Sequence, residues 1–155
     1  MRRTKPEARE VLADVRYNSV PVSYFIHRIM KRGKKSTATR IMYDALDIVK
    51  EKTSKNPIEV LELALKNVGP QMEVRPRRVG GATYQVPMEV PAGRKMTLAM
   101  RWILDAATGR TGNSYAEKLS AELVEASNNQ GAAVRKREET HKMAEANRAF
   151  SHFRM

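Results

Sequence analysis

MEVRPRRVGGATYQVPMEV, residues 72–90, is the one stretch of this chain whose side chains alternate with a period of two. Gly80-Gly81 interrupts it midway, and two β-prone runs around a Gly-Gly pair predict a β-hairpin. Two registers compete. With Gly80, Gly81 and Ala82 in the loop, Val79 faces Thr83, and Met72, Val74, Pro76 and Arg78 share a face with Tyr84, Val86, Met88 and Val90. The other face then collects Glu73, Arg75 and Arg77 with Gln85, Pro87 and Glu89. A two-residue loop mixes apolar and charged residues on both faces, as a one-residue slip must, so the three-residue loop is expected. Pro76 and Pro87 have no N–H for a ladder and are expected to turn the missing N–H outwards, which suits an isolated ribbon. Such a ribbon is marginal alone in water. It makes physical sense if its base packs on helices and its arginines meet a polyanion along its length.

The flanking segments read as helices. Pro21 opens the first, with Val22, Phe25, Ile26, Ile29 and Met30 on one face and Gly33 ending it. Ser36 is expected to cap a second helix, whose buried stripe is Ala38, Ile41, Met42, Ala45, Leu46 and Val49. Asn56-Pro57 followed by Glu59 opens a third, with Ile58, Leu61, Ala64, Leu65 and Val68 inward and Gly69-Pro70 as its stop. After the hairpin, Pro91 to Gly93 lead into a fourth helix with Met96, Ala99, Met100, Ile103, Leu104 and Ala107 inward, ended by Gly109 and Gly112. Ser114 with Glu117 repeats the capping spacing and starts a fifth carrying Leu119, Leu123 and Val124. The last helix, from Ala133 to Phe150, has only Val134, Met143, Ala146 and Phe150 as apolar support. A helix that polar is expected to lie over a partner. The fold class is therefore mainly α, a six-helix bundle with a two-stranded β-hairpin inserted between helices 3 and 4, in one domain over residues 1–155. Residues 1–17 lack periodicity and read as a basic, flexible arm.

Charge narrows the function. The 155 residues carry 29 Lys+Arg against 17 Asp+Glu, a net charge of +12. By segment the balance is +7 over residues 1–35, zero over 36–71, +4 over 72–101, −2 over 102–131 and +3 over 132–155. The excess thus sits on the amino terminus, the hairpin with the helix after it, and the carboxyl terminus, while the segments between look like scaffold. Such a field attracts nucleic acid or an anionic membrane surface. No apolar run approaches the ~20 residues of a membrane helix, and MRRTKPEAREVLADV holds no apolar leader. Cysteine is absent, which excludes disulfides and thiolate metal sites and fits a reducing compartment.

No catalytic constellation forms. His27, His141 and His152 have neither metal-ligand spacing nor a nucleophile at hand, and His27 beside an apolar face reads as structural or at an interface. Gly80-Gly81 is no phosphate loop, because no GK[ST] and no helix follow. No cofactor or metal is expected. The basic clusters are better candidates. Lys34 and Lys35 close a turn that Lys31 and Arg32 begin, which read equally well as a solvated turn. Arg75 and Arg77 share a ribbon face about 7 Å apart, near the phosphate spacing of a nucleic-acid strand, with Arg78 beside them. Arg94-Lys95 and Arg135-Lys136-Arg137 place cations at helix starts, against the dipole preference, as a bound anion would favour. Tyr84 suits stacking on a base or packing in the hairpin. No helix resembles a major-groove reader, so folded RNA is the expected ligand. A free basic regulator or nucleoid-type binder is the alternative.

RRVGGATYQVP (77–87), AMRW (99–102), the Gly33-Lys34-Lys35 turn and KREETHKMAEANRAFSHFR (136–154) together resemble the bacterial small-subunit ribosomal protein seven family from about Tyr17 onwards. The resemblance implies a primary binder of the 3' major domain of small-subunit ribosomal RNA that nucleates head assembly. It implies a place at the subunit interface near the decoding centre and the exit-site transfer RNA, in a cytoplasmic (or organellar) ribosome. Small-subunit proteins nine and eleven would be neighbours, with no membrane and no enzymatic role. Carried onto this chain, ribosomal RNA would be bound by Arg2, Arg3, Lys5, Lys34, Lys35, Arg75, Arg77, Arg78, Arg94, Lys95, Arg101, Lys136 and Arg137. Gly80, Gly81, Tyr84, Lys142 and Arg148 would lie towards the transfer and messenger RNA path. The chain departs from the family pattern at Pro21, Lys31-Arg32 and Pro91–Gly93.

Overall fold

The computed structural model describes residues 10–154. Six α-helices and one antiparallel hairpin follow in the order α1 (Val20–Ile29), α2 (Lys35–Thr53), α3 (Pro57–Val68), β1 (Met72–Val79), β2 (Ala82–Glu89), α4 (Ala92–Gly109), α5 (Tyr115–Ser127) and α6 (Ala132–Ala146). A 3₁₀ segment, Arg148–Arg154, follows α6. The helix starts obey their local chemistry. Asn56 caps α3 by accepting from the Ile58 N–H at 3.1 Å, with Pro57 in the first turn. Ser114 caps α5 by accepting from the Glu117 N–H at 3.2 Å. Ser36 does not cap α2. The turn before it places Arg32 and Gly33 in the left-handed region, at φ 54° and 75°, so the helix begins at Lys35 with Lys34 in the cap position and no side-chain cap.

The core lies between α5 and the helices around it. α5 packs against α2, α3 and α4, burying Leu119 and Leu123 among Met42, Leu46, Leu61, Met100 and Ile103. Met96, expected inward, is 40% exposed near the start of α4. One buried polar node joins three elements. Glu122 on α5 is fully buried; its Oε2 accepts from Arg110 Nε at 2.6 Å and its Oε1 from the Ala133 N–H at 2.9 Å. Arg110 also grips Glu125 through both terminal nitrogens. The end of α4 is thereby fastened to α5 and to the start of α6. The guanidinium is held protonated by Glu125 and Glu122, and the Glu125 carboxyl lies below its ordinary pKa because Arg110 donates to it.

The hairpin register differs from the expected one. Val79 pairs with Ala82, Arg77 with Tyr84, Arg75 with Val86 and Met72 with Glu89, around a two-residue Gly80-Gly81 loop. Both glycines have positive φ, 58° and 86°, the geometry of a type I′ turn whose twist matches the strands. The prolines explain why this register prevails. Pairs alternate between hydrogen-bonded and non-hydrogen-bonded along an antiparallel ladder, and the pair next to a two-residue turn is hydrogen-bonded. Val90 N donating to Gln71 O at 3.0 Å extends the same alternation beyond the strands. Val74↔Pro87 and Pro76↔Gln85 then both fall on non-hydrogen-bonded pairs, where a missing N–H breaks nothing. The three-residue loop would have put the two prolines on successive pairs, so one of them would interrupt the ladder. Mixed faces are tolerated because only Glu73, Val86 and Pro87 of the ribbon are buried, and the Glu73 carboxylate is paired with Arg75 and Arg94.

The ribbon is not free along its length. Its base packs on α6, and β2 packs on the 3₁₀ segment. Tyr84 stacks on Phe153 (ring centroids 4.9 Å apart, 29° between planes) and tilts against Phe150 at 5.4 Å. The polar helix α6 therefore spends its sparse apolar face on this chain. Ala133, Val134, Thr140 and Ala144 are buried, whereas Met143 is 50% exposed. At the other end of the molecule, residues 14–17 fold onto α2. Asp14, 8% exposed, accepts from the N–H groups of Arg16 and Tyr17 and from the Tyr43 hydroxyl at 2.8 Å. Arg16 forks onto Asp47 at 2.8 and 3.0 Å and lies 5.2 Å from both the Tyr17 and Tyr43 rings. Arg16, expected in a flexible arm, is thus part of the fold.

Candidate nucleic-acid interface

Glu73 organises the base of the ribbon. Its side chain is 8% exposed and accepts from Arg94 Nε at 2.8 and 2.9 Å and from Arg75 of its own strand. Burial pushes this carboxyl upward in pKa, but the bonds from Arg94 and Arg75 together outweigh burial and hold it below its ordinary value. One carboxylate under two guanidiniums leaves one net positive charge and fixes both arginines in place. Each keeps close to half of its side chain in solvent, 44% for Arg75 and 47% for Arg94.

From Glu73 a cationic track runs along α4. Arg94 and Arg101 are seven residues apart, two turns and about 10 Å along one helix face. Arg101 in turn lines a cleft of about 420 Å³ with Arg28 from the last turn of α1 and Lys31 from the loop after it. Lys34 and Lys35 follow on the exposed turn into α2. Arg75, Arg94, Arg101, Lys31, Arg28, Lys34 and Lys35 therefore form one connected series, although their positions in the chain span some seventy residues. Neither Arg28 nor Lys31 is among the RNA-binding residues that the family resemblance implies. Arg28 sits in the last turn of α1 and Lys31 just beyond its cap, and their meeting with Arg101 is legible only once α1 is known to lie against α4.

The other expected cations are arranged differently. Arg77 is half-buried opposite Tyr84, and Arg78 is exposed on the opposite ribbon face; neither forms an ion pair among the described residues. Gly80 and Gly81 make the exposed tip. Tyr84 is occupied by Phe150 and Phe153, so packing accounts for this ring. Lys95, one residue on from Arg94, points round the helix instead. Its stem lies over Gly69, where an added Cβ would meet it at 2.8 Å, and it borders a second cleft with Lys66, Arg137, His141 and Lys142. Arg137 is committed to the fold: it donates to the Asn67 carbonyl at the end of α3 and to Asn129 Oδ1 at 3.1 Å. Lys136 pairs with Glu139 and Arg148 with Glu145, each at 3.2 Å on the surface. Arg2, Arg3 and Lys5 lie outside the described residues.

Of the histidines, His141 fills a structural post. His141 Nε2 accepts from the Gln71 N–H at 3.0 Å, which requires a neutral ring. Burial, then Arg137 and Lys95, depress its pKa accordingly. His27, expected at an apolar face, is exposed on α1. Among the described residues no group of three or more His, Cys, Asp or Glu can hold a metal ion, and no helix is long and apolar enough to cross a membrane.

Comparison with known proteins agrees with this picture. The family described as Ribosomal protein S7p/S5e matches residues 1–148. A small ribosomal subunit protein uS7 from Dehalococcoides mccartyi is 58% identical over 153 residues, covering 99% of this chain and 98% of the relative. Proteins of the same name from Methylorubrum extorquens and Thermomicrobium roseum are 57% and 52% identical over the same shares.

Proposed function

The chain belongs to the ribosomal protein S7p/S5e family, and from that premise we propose that it is a structural, RNA-binding component of the small ribosomal subunit. It binds the 3' major domain of small-subunit ribosomal RNA and nucleates folding of the subunit head. The ribbon tip and the carboxyl-terminal segment lie towards the exit-site transfer RNA and the messenger path, with small-subunit proteins nine and eleven as neighbours. The supporting observation is the continuous series Arg75–Arg94–Arg101–Lys31–Arg28–Lys34–Lys35 backed by a helical body of balanced charge. A bent track on several elements suits the irregular backbone of a folded RNA better than a straight duplex. The fixed arginines at Glu73 set the register on phosphates, and Arg77 and Arg78 extend the interface along the ribbon.

Filter binding across a salt series tests this, using a fragment of the ribosomal RNA head junction and duplex DNA of equal length. The RNA fragment is expected to bind far more tightly. Replacing Arg75, Arg77 and Arg78 together by alanine should flatten the log–log salt slope by roughly 0.7–0.9 for each phosphate that these side chains neutralise. Equal affinity for the duplex would favour a free basic nucleic-acid binder, and an unchanged slope would remove the ribbon from the interface.

A further inference from the structure

The cleft between α1, α2, α4 and the start of α5 is lined by groups of both signs. Arg28, Lys31 and Arg101 supply cations, Ile29, Ile41 and Leu104 an apolar wall, and Asp105, Thr108 and Tyr115 oxygen acceptors. Both hydroxyls already reach a carbonyl of the chain. Thr108 Oγ1 donates to the Leu104 carbonyl at 2.8 Å, and the Tyr115 hydroxyl reaches the same carbonyl at 3.3 Å. Asp105 adds a carboxylate. The cleft therefore brings three cations together with a carboxylate and two hydroxyls that already reach a carbonyl acceptor. Asp105 and Arg101 are four residues apart on one helix, the spacing at which ion pairs form, yet Asp105 forms no ion pair among the described residues. The cleft that both residues line has a volume of about 420 Å³, within the roughly 300–1,000 Å³ of small-ligand sites.

We propose that this cleft takes a single unstacked nucleotide of the bound RNA, with its phosphate on Arg28, Lys31 and Arg101 and a guanine base against Asp105, Thr108 and Tyr115. Guanine presents two adjacent donors, N1–H and the N2 amine, which one carboxylate accepts together. Adenine and cytosine present one amine, and uracil a single N–H between two carbonyls that acceptors repel. A carboxylate facing a polyanion weakens binding unless it reads a donor edge, which gives Asp105 a role that a merely solvated acid would not have. Apolar and aromatic walls with edge-reading polar groups are the usual means of holding a splayed-out base. The inference rests on the RNA-binding function proposed above and adds a base preference to it.

The test uses the full chain and four otherwise identical short uridine oligomers carrying G, A, C or U at the central position, with affinities measured by anisotropy. The guanosine oligomer is expected to bind about five- to tenfold more tightly than the all-uridine one, the lower range for a bidentate base contact. Asp105→Asn should collapse that ratio to near one, and Tyr115→Phe should reduce it. A folding defect or an altered net charge moves all four oligomers together and leaves the ratio in place. No preference in the unaltered chain, or a preference that survives Asp105→Asn, overturns the inference. If the head-junction fragment still binds tightly in that case, the base-reading cleft fails while the RNA-binding function stands; if the fragment does not bind, that function fails first.

Discussion

Replacing Glu73 by glutamine should make the protein more positive and yet a poorer binder of its RNA. Glu73 accepts from two guanidiniums: the single Arg94 Nε–H is shared between its two oxygens at 2.8 and 2.9 Å, and Arg75 donates to one of them. A glutamine carbonyl keeps one of these as a neutral bond of roughly half the strength. Charged hydrogen bonds contribute about 1.5–3 kcal/mol each. Both arginines keep nearly half their side chains in water, which lowers the figure, so the net loss is about 1–2 kcal/mol. For a chain of this size that is a fall in Tm of roughly 2–8 °C. The pH dependence carries a signature. Glu73 is depressed below its ordinary value of 4.5, so its stabilisation is present above pH 4.5 and is lost as pH falls through the depressed value. Calorimetry should therefore show the gap between the two proteins closing below that pH. Binding supplies the decisive contrast. The variant gains one unit of net charge, which raises non-specific association with duplex DNA at low salt. Affinity for the head-junction RNA should fall severalfold, because Arg75 and Arg94 lose their fixed positions. If both affinities rise together, charge alone governs binding and the positioning role of Glu73 is refuted.

Two further substitutions probe the frame of the site. Arg110→Ala strips the fully buried Glu122 carboxylate of its cation, leaving only the Ala133 N–H on it; a loss of about 3 kcal/mol is expected in urea unfolding, and a loss under about 1 kcal/mol would mean the node is solvated. Tyr84→Ala removes the ring that Phe150 and Phe153 pack on, at about 0.5–1.5 kcal/mol per pair beyond burial. Amide exchange should then accelerate over residues 148–154 and the outer ribbon while α2 and α5 stay protected; uniform acceleration would show that the ribbon belongs to the cooperative core.

The helices are legible in the sequence because their signals are local. Asn56 and Ser114 cap from their own side chains, and the apolar stripes of α2 and α3 follow a period that needs no partner to be read. The ribbon register escapes a reading by faces for a physical reason. Face chemistry decides register where one face is buried, and here only Glu73, Val86 and Pro87 of the ribbon are buried, so the turn and the ladder decide instead. The parity of Pro76 and Pro87 holds the answer. α6 departs from expectation in the opposite sense. Its small residues Ala133 and Ala144 make a narrow buried face that a search for bulky stripes passes over. For the site, residue type is visible in sequence but availability is not. Arg16, Arg110 and Arg137 look no different there from Arg78, yet their partners, Asp47, Glu122 with Glu125, and the Asn67 carbonyl, lie 12 to 70 residues away.

That division among the arginines bears on how a strongly basic protein can recognise one RNA. Net charge alone attracts every polyanion and is weakened by salt for all of them. Arg75 and Arg94, clamped on Glu73, surrender part of their charge to an internal acid and gain fixed positions, so less side-chain freedom is given up when phosphates dock. A backbone whose phosphates match those positions benefits, whereas one that does not meets cations unable to follow it. Arg77, Arg78, Lys34 and Lys35, with no acid on them among the described residues, can follow any strand and supply the general attraction. Discrimination should therefore concentrate in the clamped pair and salt dependence in the unclamped cations. Arg94→Ala is accordingly expected to narrow the ratio of head-junction to duplex affinity while lowering the salt slope by no more than roughly 0.7–0.9, the share of one phosphate. Arg77→Ala with Arg78→Ala should lower the slope while leaving the ratio nearly intact. If both variants change the ratio and the slope in the same proportion, clamped and unclamped arginines are equivalent, and shape recognition must be sought elsewhere on the track.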